Sequence, residues 1–340
     1  MLPSTSTKDH QRSMMPLVTV ALPAYRHEAF IEETMLSVYH QTYDRIELVI
    51  VDDRSPDETL GVVQWLASRP WFRARFERVH VVQNEANVGA HASLNRAMAL
   101  AEGEYISLLN SDDLYAPSRI SRLVEVCRSS NVECAFTNVE PVNDAGHSIF
   151  SDSLAQSIAL NPRRVIENLP SLSFGFLRYQ LSSSTGNIFL SRELQQKIGG
   201  FINLRYCHDW DYMLRLISKV EPVYIDEPLY RYRFHDGNSF RSLSDVAEAE
   251  SEVVLSRYYL QVLLGEVKNR KAPSPYNWPG AFEAIAGHFE VFDLWRQISG
   301  DYKAHFRTVD LRHKRNSSVG LYRSRFAALE FSAGTDGRSG

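Results

Sequence analysis

Four clusters of side chains in this sequence have types and spacings suited to chemistry. In Asn110-Ser111-Asp112-Asp113, two adjacent carboxylates follow the apolar run Tyr105–Leu109. Neighbouring carboxylates repel unless water or a cation neutralises them. Mg2+ or Mn2+, held by one or two carboxylates plus substrate phosphates, is a common arrangement because these hard ions keep several waters and need few protein ligands. Taken alone, such a pair is more often a solvated turn. A second pair, Asp52-Asp53, follows the apolar run Glu47–Val51. The third cluster is His208-Asp209-Trp210-Asp211 with Arg215 downstream. On a helix Asp211 and Arg215 stand four apart and can pair, worth about 0.2–0.5 kcal/mol. Asp209 has Tyr212 and Met213 at those offsets, so no local cation holds it. The positive helix N-terminus keeps it ionised, either as an N-cap or as a general base. The fourth cluster is Tyr230-Arg231-Tyr232-Arg233-Phe234-His235. An Arg fork suits phosphate and a neutral His can ligate a divalent ion, while a solvated Arg face and an idle His are the plainer reading.

Short β-rich runs alternating with helical patterns must position these clusters. The strands read as Leu17–Leu22, Glu47–Val51, Val79–Gln83, Tyr105–Leu109, Glu133–Val139 and Gly186–Leu190. Between them come helical patterns over Glu28–His40, Asp57–Ser68 and Ala90–Ala101, the second entered through Ser55 as N-cap and Pro56 as first residue. A short helix Arg192–Ile198 is ended by Gly199-Gly200, and another begins at Asp209 with Trp210, Met213, Leu214 and Ile217 on one face. Such alternation predicts an α/β fold, a mostly parallel sheet covered by helices. In such sheets ligands bind beyond the carboxyl ends of the strands, where both Asp pairs fall. The stretch from Glu140 to Leu181 is rich in Asn, Pro and Ser and shows no clear period. After Arg241 long helical patterns follow, Asp245–Lys268 and Ala281–Ile298.

The composition excludes several classes. A net charge of -4 and a pI near 6.3 give no overall field for nucleic acid. Cys127, Cys134 and Cys207 form no C-x-x-C pair, so neither a disulfide framework nor a zinc site is expected, and a reducing, cytoplasmic setting fits. Residues 1–16 read as a flexible polar leader without a signal-peptide core. No uncharged apolar stretch reaches the ~18 residues that span a bilayer, which leaves at most peripheral membrane contact. The basic run Arg312-His313-Lys314-Arg315 reads as a solvated face. There is no dinucleotide-binding glycine fingerprint, P-loop or nucleophile elbow.

Taken together, Glu47–Thr59, Asn87-Val88-Gly89, Glu102–Tyr115, Ser37–Tyr43 and the later acid and Arg/His clusters resemble the family 2 glycosyltransferases in type and order. The resemblance covers about residues 17–240 and implies the GT-A nucleotide-binding fold. A helical accessory region is expected over 241–331, and a disordered tail over 332–340. The family pattern implies that Asp53 contacts the nucleobase and that Asp112 coordinates Mg2+ or Mn2+ with His235. It implies that Pro23, Tyr25, Asn87, Asn110, Asp113 and Arg233 line the donor site, with Asp209 as the base that deprotonates an acceptor hydroxyl. The donor would be a nucleoside-diphosphate sugar, a UDP-sugar by resemblance. The acceptor would be a glycan, a lipid-linked glycan or a protein, in polysaccharide or glycoconjugate assembly, with inversion at the anomeric carbon. Two departures stand out: Asn110 replaces the family's usual Asp, and His208 replaces its usual Glu or Gln. Among rivals, a sugar nucleotidyltransferase would need a Gly-rich basic loop near the N-terminus, which is missing, and a catalytically silent binding module would have no need of Asp209.

Overall fold

The computed structural model describes residues 14–151, 155, 162, 164, 167, 169–238 and 244–277. The expected helix over 281–298, the basic run at 312–315, the tail and most of the leader lie outside the described residues. One sheet carries eight strands: β1 (Val18–Ala24), β2 (Ile46–Asp52), β3 (Arg78–Gln83), β4 (Tyr105–Leu108), β5 (Leu114–Tyr115), β6 (Cys134–Val142), β7 (Phe189–Ser191) and β8 (Val223–Arg233). Their order is β3-β2-β1-β4-β7-β6-β8-β5. β1 to β4 pair in parallel, as do β6 and β8, while β7 and β5 run against their neighbours. Five of the predicted strands match β1 to β4 and β6 to within a few residues.

Burial follows sheet position. Every residue of β2 is buried, and all of β1 except Pro23, as the continuous apolar runs of central parallel strands require. β3, at the edge, is half-buried along its length. Beside the short turn of helix Pro70–Arg73, the sheet is accompanied by α1 (Ile31–Tyr39), α2 (Thr59–Ala67), α3 (Ala90–Ala99), α4 (Arg119–Ser129) and α6 (Arg192–Ile198). α1 buries Ile31, Thr34, Met35 and Val38, a stripe at helical spacing. Each fully buried Val, Leu or Ile in this core contributes about 1.5–3 kcal/mol.

Local chemistry moves several boundaries. α2 starts at Thr59 rather than behind a Ser55 cap. Asp52 Oδ2 accepts the Ser55 N–H at 3.1 Å and holds the chain in a turn, while Ser55 Oγ accepts the Arg26 N–H. α1 starts at Ile31 because the His27 carbonyl takes the N–H groups of Phe30 and Ile31 in a tight turn. The strand expected at Gly186 begins only at Phe189, after a 3-10 turn over Thr185–Asn187. There, a Cβ on Gly186 would stand 2.0 Å from the Tyr230 hydroxyl and 2.7 Å from the Asn110 backbone nitrogen. β8 was not anticipated. Its Pro228 sits opposite Asn138 where the β6–β8 register shifts, the kind of irregularity at which a sheet accepts proline.

Contacts divide the described residues into two units. The first holds those up to 164, with 181–201 and 222–238, and so the whole sheet. The second holds 167–180, 202–221 and 244–277, so that segments read from the sequence as part of a 17–240 domain group with the helix that follows it. Its helices are α5 (Leu172–Arg178), α7 (His208–Ile217) and α8 (Ser244–Leu263). α7 buries Met213, Leu214 and Ile217, and the half-buried Trp210 donates its indole N–H to the Phe176 carbonyl at 2.6 Å. Glu250 of α8 accepts the N–H groups of Arg205, Tyr206 and the N-cap Cys207 at 2.7–2.8 Å, tying down the turn that enters α7. The three cysteines are buried and unbridged. Among the described residues no helix is long and apolar enough to cross a membrane.

Candidate active site

Parallel pairing sets three strand ends side by side: Ala24 lies beside Asp52, and Ala21 beside Leu108. The loops after β1, β2 and β4 therefore leave the sheet along one edge. β5 returns against β8 with Leu114 opposite Arg231, which brings the end of β8 to Asp112 and Asp113. The loops carrying His27, Asp112 and His235 thereby meet.

Asp112 is 9% exposed, and its Oδ2 lies 3.0 Å from His235 Nε2. Burial works to raise its pKa, but the His27 and His235 rings outweigh it and hold the carboxyl below the usual range. His235 is fixed by its N–H to Asn238 Oδ1 at 2.7 Å and by the Phe30 ring at 4.8 Å. A carboxylate oxygen and an imidazole nitrogen so placed fit a shared divalent ion. Ligation through Nε2 would put the ring proton on Nδ1 and give up a long, 3.2 Å contact with the Gly237 N–H.

Asp113 is held differently. Its Oδ1 accepts the Arg233 backbone N–H at 2.8 Å, and its Oδ2 accepts the Tyr230 hydroxyl at 2.6 Å and the Asn110 amide at 3.3 Å. Burial, then the charge of Asp112, push its carboxyl well above the usual range. Asn110 also donates to Ser184 Oγ at 3.0 Å. An amide here supplies N–H donors that an Asp could not, which accounts for this departure from the family pattern. Both carboxylate oxygens of Asp113, expected toward a donor, are thus taken by protein partners, while Asn110 commits its Nδ2 to them.

Arg233 needs the same correction. Its side chain is fully buried, and the guanidinium donates to the Asp112 carbonyl at 2.7 Å, to Glu33 Oε2 at 2.6 Å and to the Asp144 carbonyl. The fork expected on a diphosphate braces the backbone of Asp112 instead. Tyr230→Phe, which removes the shortest hydrogen bond to the buried Asp113, is expected to lower stability by about 1–3 kcal/mol. Urea denaturation should show this as a lower midpoint with unchanged slope.

Asp53 was expected on the nucleobase. Its Oδ1 accepts from Asn84 Nδ2 at 2.7 Å and from the Val88 N–H at 2.9 Å, and its Oδ2 from the Gly89 N–H at 2.8 Å. The carboxylate anchors the loop into α3, whose N-cap Gly89 has φ 88°, a left-handed value that glycine adopts without strain. On that loop Asn87 is exposed, as is Tyr25 after β1, while Pro23 is half-buried. The loops after β1 and β2 bound an open cleft of about 470 Å³ lined by residues 26–30, among them Arg26, His27 and Glu28, and by Pro56 and Asp57, within the size range of small-molecule sites. Arg26 and Arg54, with φ 55° and 59°, are held in a region that costs a non-glycine residue about 1–3 kcal/mol and that recurs at ligand sites.

Asp209 belongs to the second unit. α7 begins one residue earlier than expected, with Cys207 as N-cap, so Asp209 lies in the first turn and does not cap the helix. Its Oδ1 accepts the Trp210 N–H at 2.7 Å. Asp211 makes the expected pair with Arg215 at 2.7 Å and a second with Arg257 at 3.0 Å. His27 is the site residue that sequence reasoning missed. A lone His carries no local signal, although its place just after β1, on the edge where β4 ends in Asp112, could have drawn attention to it.

The fold is that of the GT-A glycosyltransferases. Residues 19–187 match the family described as Glycosyl transferase family 2. The Bacillus subtilis (strain 168) glycosyltransferase TuaG is 34% identical over 122 residues, which are 36% of this chain and 46% of the relative. Glycosyltransferase GlyG of Streptococcus pneumoniae is 25% identical over 71% of this chain and 78% of its own. Among solved structures, S. aureus TarS 1-349 in complex with UDP-GlcNAc aligns with a TM-score of 0.57 at 18% identity, covering 93% of this chain and 92% of that one. The Pyrobaculum calidifontis mannosyltransferase PcManGT in complex with GDP-Man and Mn2+ aligns with a TM-score of 0.52 at 18% identity, covering 94% and 82%.

Proposed function

We propose that this chain is an inverting, metal-dependent glycosyltransferase that moves a sugar from a nucleoside-diphosphate donor, a UDP-sugar first, to a hydroxyl of a glycan, lipid-linked or protein acceptor. The observation that carries this reading is the Asp112–His235 pair, 3.0 Å apart at the carboxyl edge of the sheet and beside the cleft between the loops after β1 and β2. The UDP-GlcNAc complex of one structural neighbour and the GDP-Man and Mn2+ complex of another support it.

Asp112 and His235 would hold a divalent ion, Mg2+ or Mn2+, which when bound would neutralise the charge that grows on the departing diphosphate. The chain's own residues do the rest. Arg233 and Asp113 brace Asp112 from behind, and Asp53 presents the loop of Asn87, which with Pro23 and Tyr25 bounds the nucleoside end. Asp209 takes the acceptor proton as the acceptor oxygen bonds to the anomeric carbon and the bond to the diphosphate oxygen breaks on the opposite face. Asp211 is claimed by two arginines, which favours Asp209 for that role.

Nucleoside diphosphate release from a panel of UDP-, GDP- and dTDP-sugars with Mn2+ tests the reading. Release from at least one donor, rising with acceptor, is expected; no release from any, by protein that binds the same nucleotides, would sink it.

A further inference from the structure

His27 faces the same carboxylate oxygen as His235. Its Nε2 is 3.8 Å from Asp112 Oδ2, and one ligand atom from each of His27, Asp112 and His235 lies within 4.8 Å of the others. Ligands bound at about 2.0–2.2 Å to one ion sit roughly 3–3.5 Å apart, so from a spread of 4.8 Å movements of roughly 1–2 Å, shared between the two rings, close the set. The two rings stand edge to face, with centroids 5.7 Å apart.

The His27 ring is also oriented. Nδ1 is 2.7 Å from Ser111 Oγ, and a proton on Nδ1 in that contact leaves Nε2 with a lone pair toward Asp112. This is the arrangement by which metal-binding histidines are set by their other nitrogen. The loop beneath is fixed as well: the His27 N–H donates to Thr59 Oγ1 at 2.8 Å, and Thr34 Oγ1 donates to the Ser111 carbonyl at 3.0 Å. Three donors therefore arrive from three strand ends on backbone tied in place before any nucleotide enters.

We propose that His27 is a third protein ligand, completing a two-histidine, one-carboxylate site that binds a first-row transition ion in the absence of nucleotide and ahead of Mg2+. The inference rests on the donor-site reading above and deepens it. Two imidazoles and one carboxylate suit transition ions, whereas Mg2+ prefers oxygen ligands and waters. A site of one carboxylate and one imidazole would lean on substrate phosphates to hold its ion; a third protein donor removes that need.

The test uses the full chain without nucleotide, with the metal alone as probe. Titration calorimetry with Mn2+, Co2+ and Mg2+ should show Co2+ and Mn2+ bound at least about tenfold more tightly than Mg2+. His27→Gln should weaken Mn2+ by about 10–100-fold while its thermal midpoint stays near that of the wild type. Pulsed electron paramagnetic resonance of the Mn2+-loaded wild type should show two histidine nitrogens, a readout independent of whether the variant folds. One nitrogen, or a His27→Gln protein that binds Mn2+ as the wild type does, overturns the proposal. Sugar transfer from the donor panel together with a single-nitrogen spectrum would leave the functional reading standing and remove only this one; two nitrogens without transfer would do the reverse.

Discussion

Asp209→Asn is expected to cut turnover by about 10²–10⁴, the range a positioned base supplies, while the KM for the donor stays near the wild-type value. The substitution keeps shape and retains a carbonyl oxygen to accept the Trp210 N–H that Oδ1 now takes at 2.7 Å. What it removes is the ability to take a proton. Steady-state kinetics over a range of acceptor concentrations, with donor saturating, reads the effect. Turnover equal to the wild type would eliminate Asp209 as the base. Asp211→Asn is the contrast: it weakens the pairs with Arg215 and Arg257 in a buried setting, so it should appear first as lost stability.

Asp112→Ala should have the second large effect, and of a different kind. It removes the oxygen that His235 and His27 both face. Loss of even an indirect support of a metal ligand weakens metal by about 10–100-fold, and loss of the ligand itself should do no less. Donor affinity should fall with it. Because Arg233 Nε binds the backbone carbonyl of residue 112 and not its side chain, the brace behind the site survives and the thermal midpoint should move little. Calorimetry showing Mn2+ and donor bound as in the wild type would contradict the metal assignment.

How much of this could be read from the sequence depended on whether the signal was local. Central strands buried on both faces show as unbroken apolar runs, so β1, β2 and β4 were visible with their Asp-bearing ends. α7 was visible because its core face recurs at helical spacing. β8 escaped notice because Asp226, Glu227, Pro228 and Arg231 interrupt its apolar character, and the proline is tolerated only through a register shift that the partner strand provides. Residue type suggested what Asp53, Asp113 and Arg233 could bind. Which of their atoms face protein depends on residues far along the chain, such as Tyr230 against Asp113 and Glu33 against Arg233. A buried Arg brace and an Arg that grips phosphate look alike in one dimension.

Glu250 gives the region beyond residue 240 a meaning that "accessory" does not convey. Its carboxylate gathers three amides at the head of α7, and Arg257, two turns further along the same helix, reaches Asp211. An enzyme trimmed after the last strand would keep every residue of the sheet edge, yet would unfasten the helix on which Asp209 rides. Chimeras that exchange acceptor preference between relatives should therefore be cut so that α7 and α8 travel together.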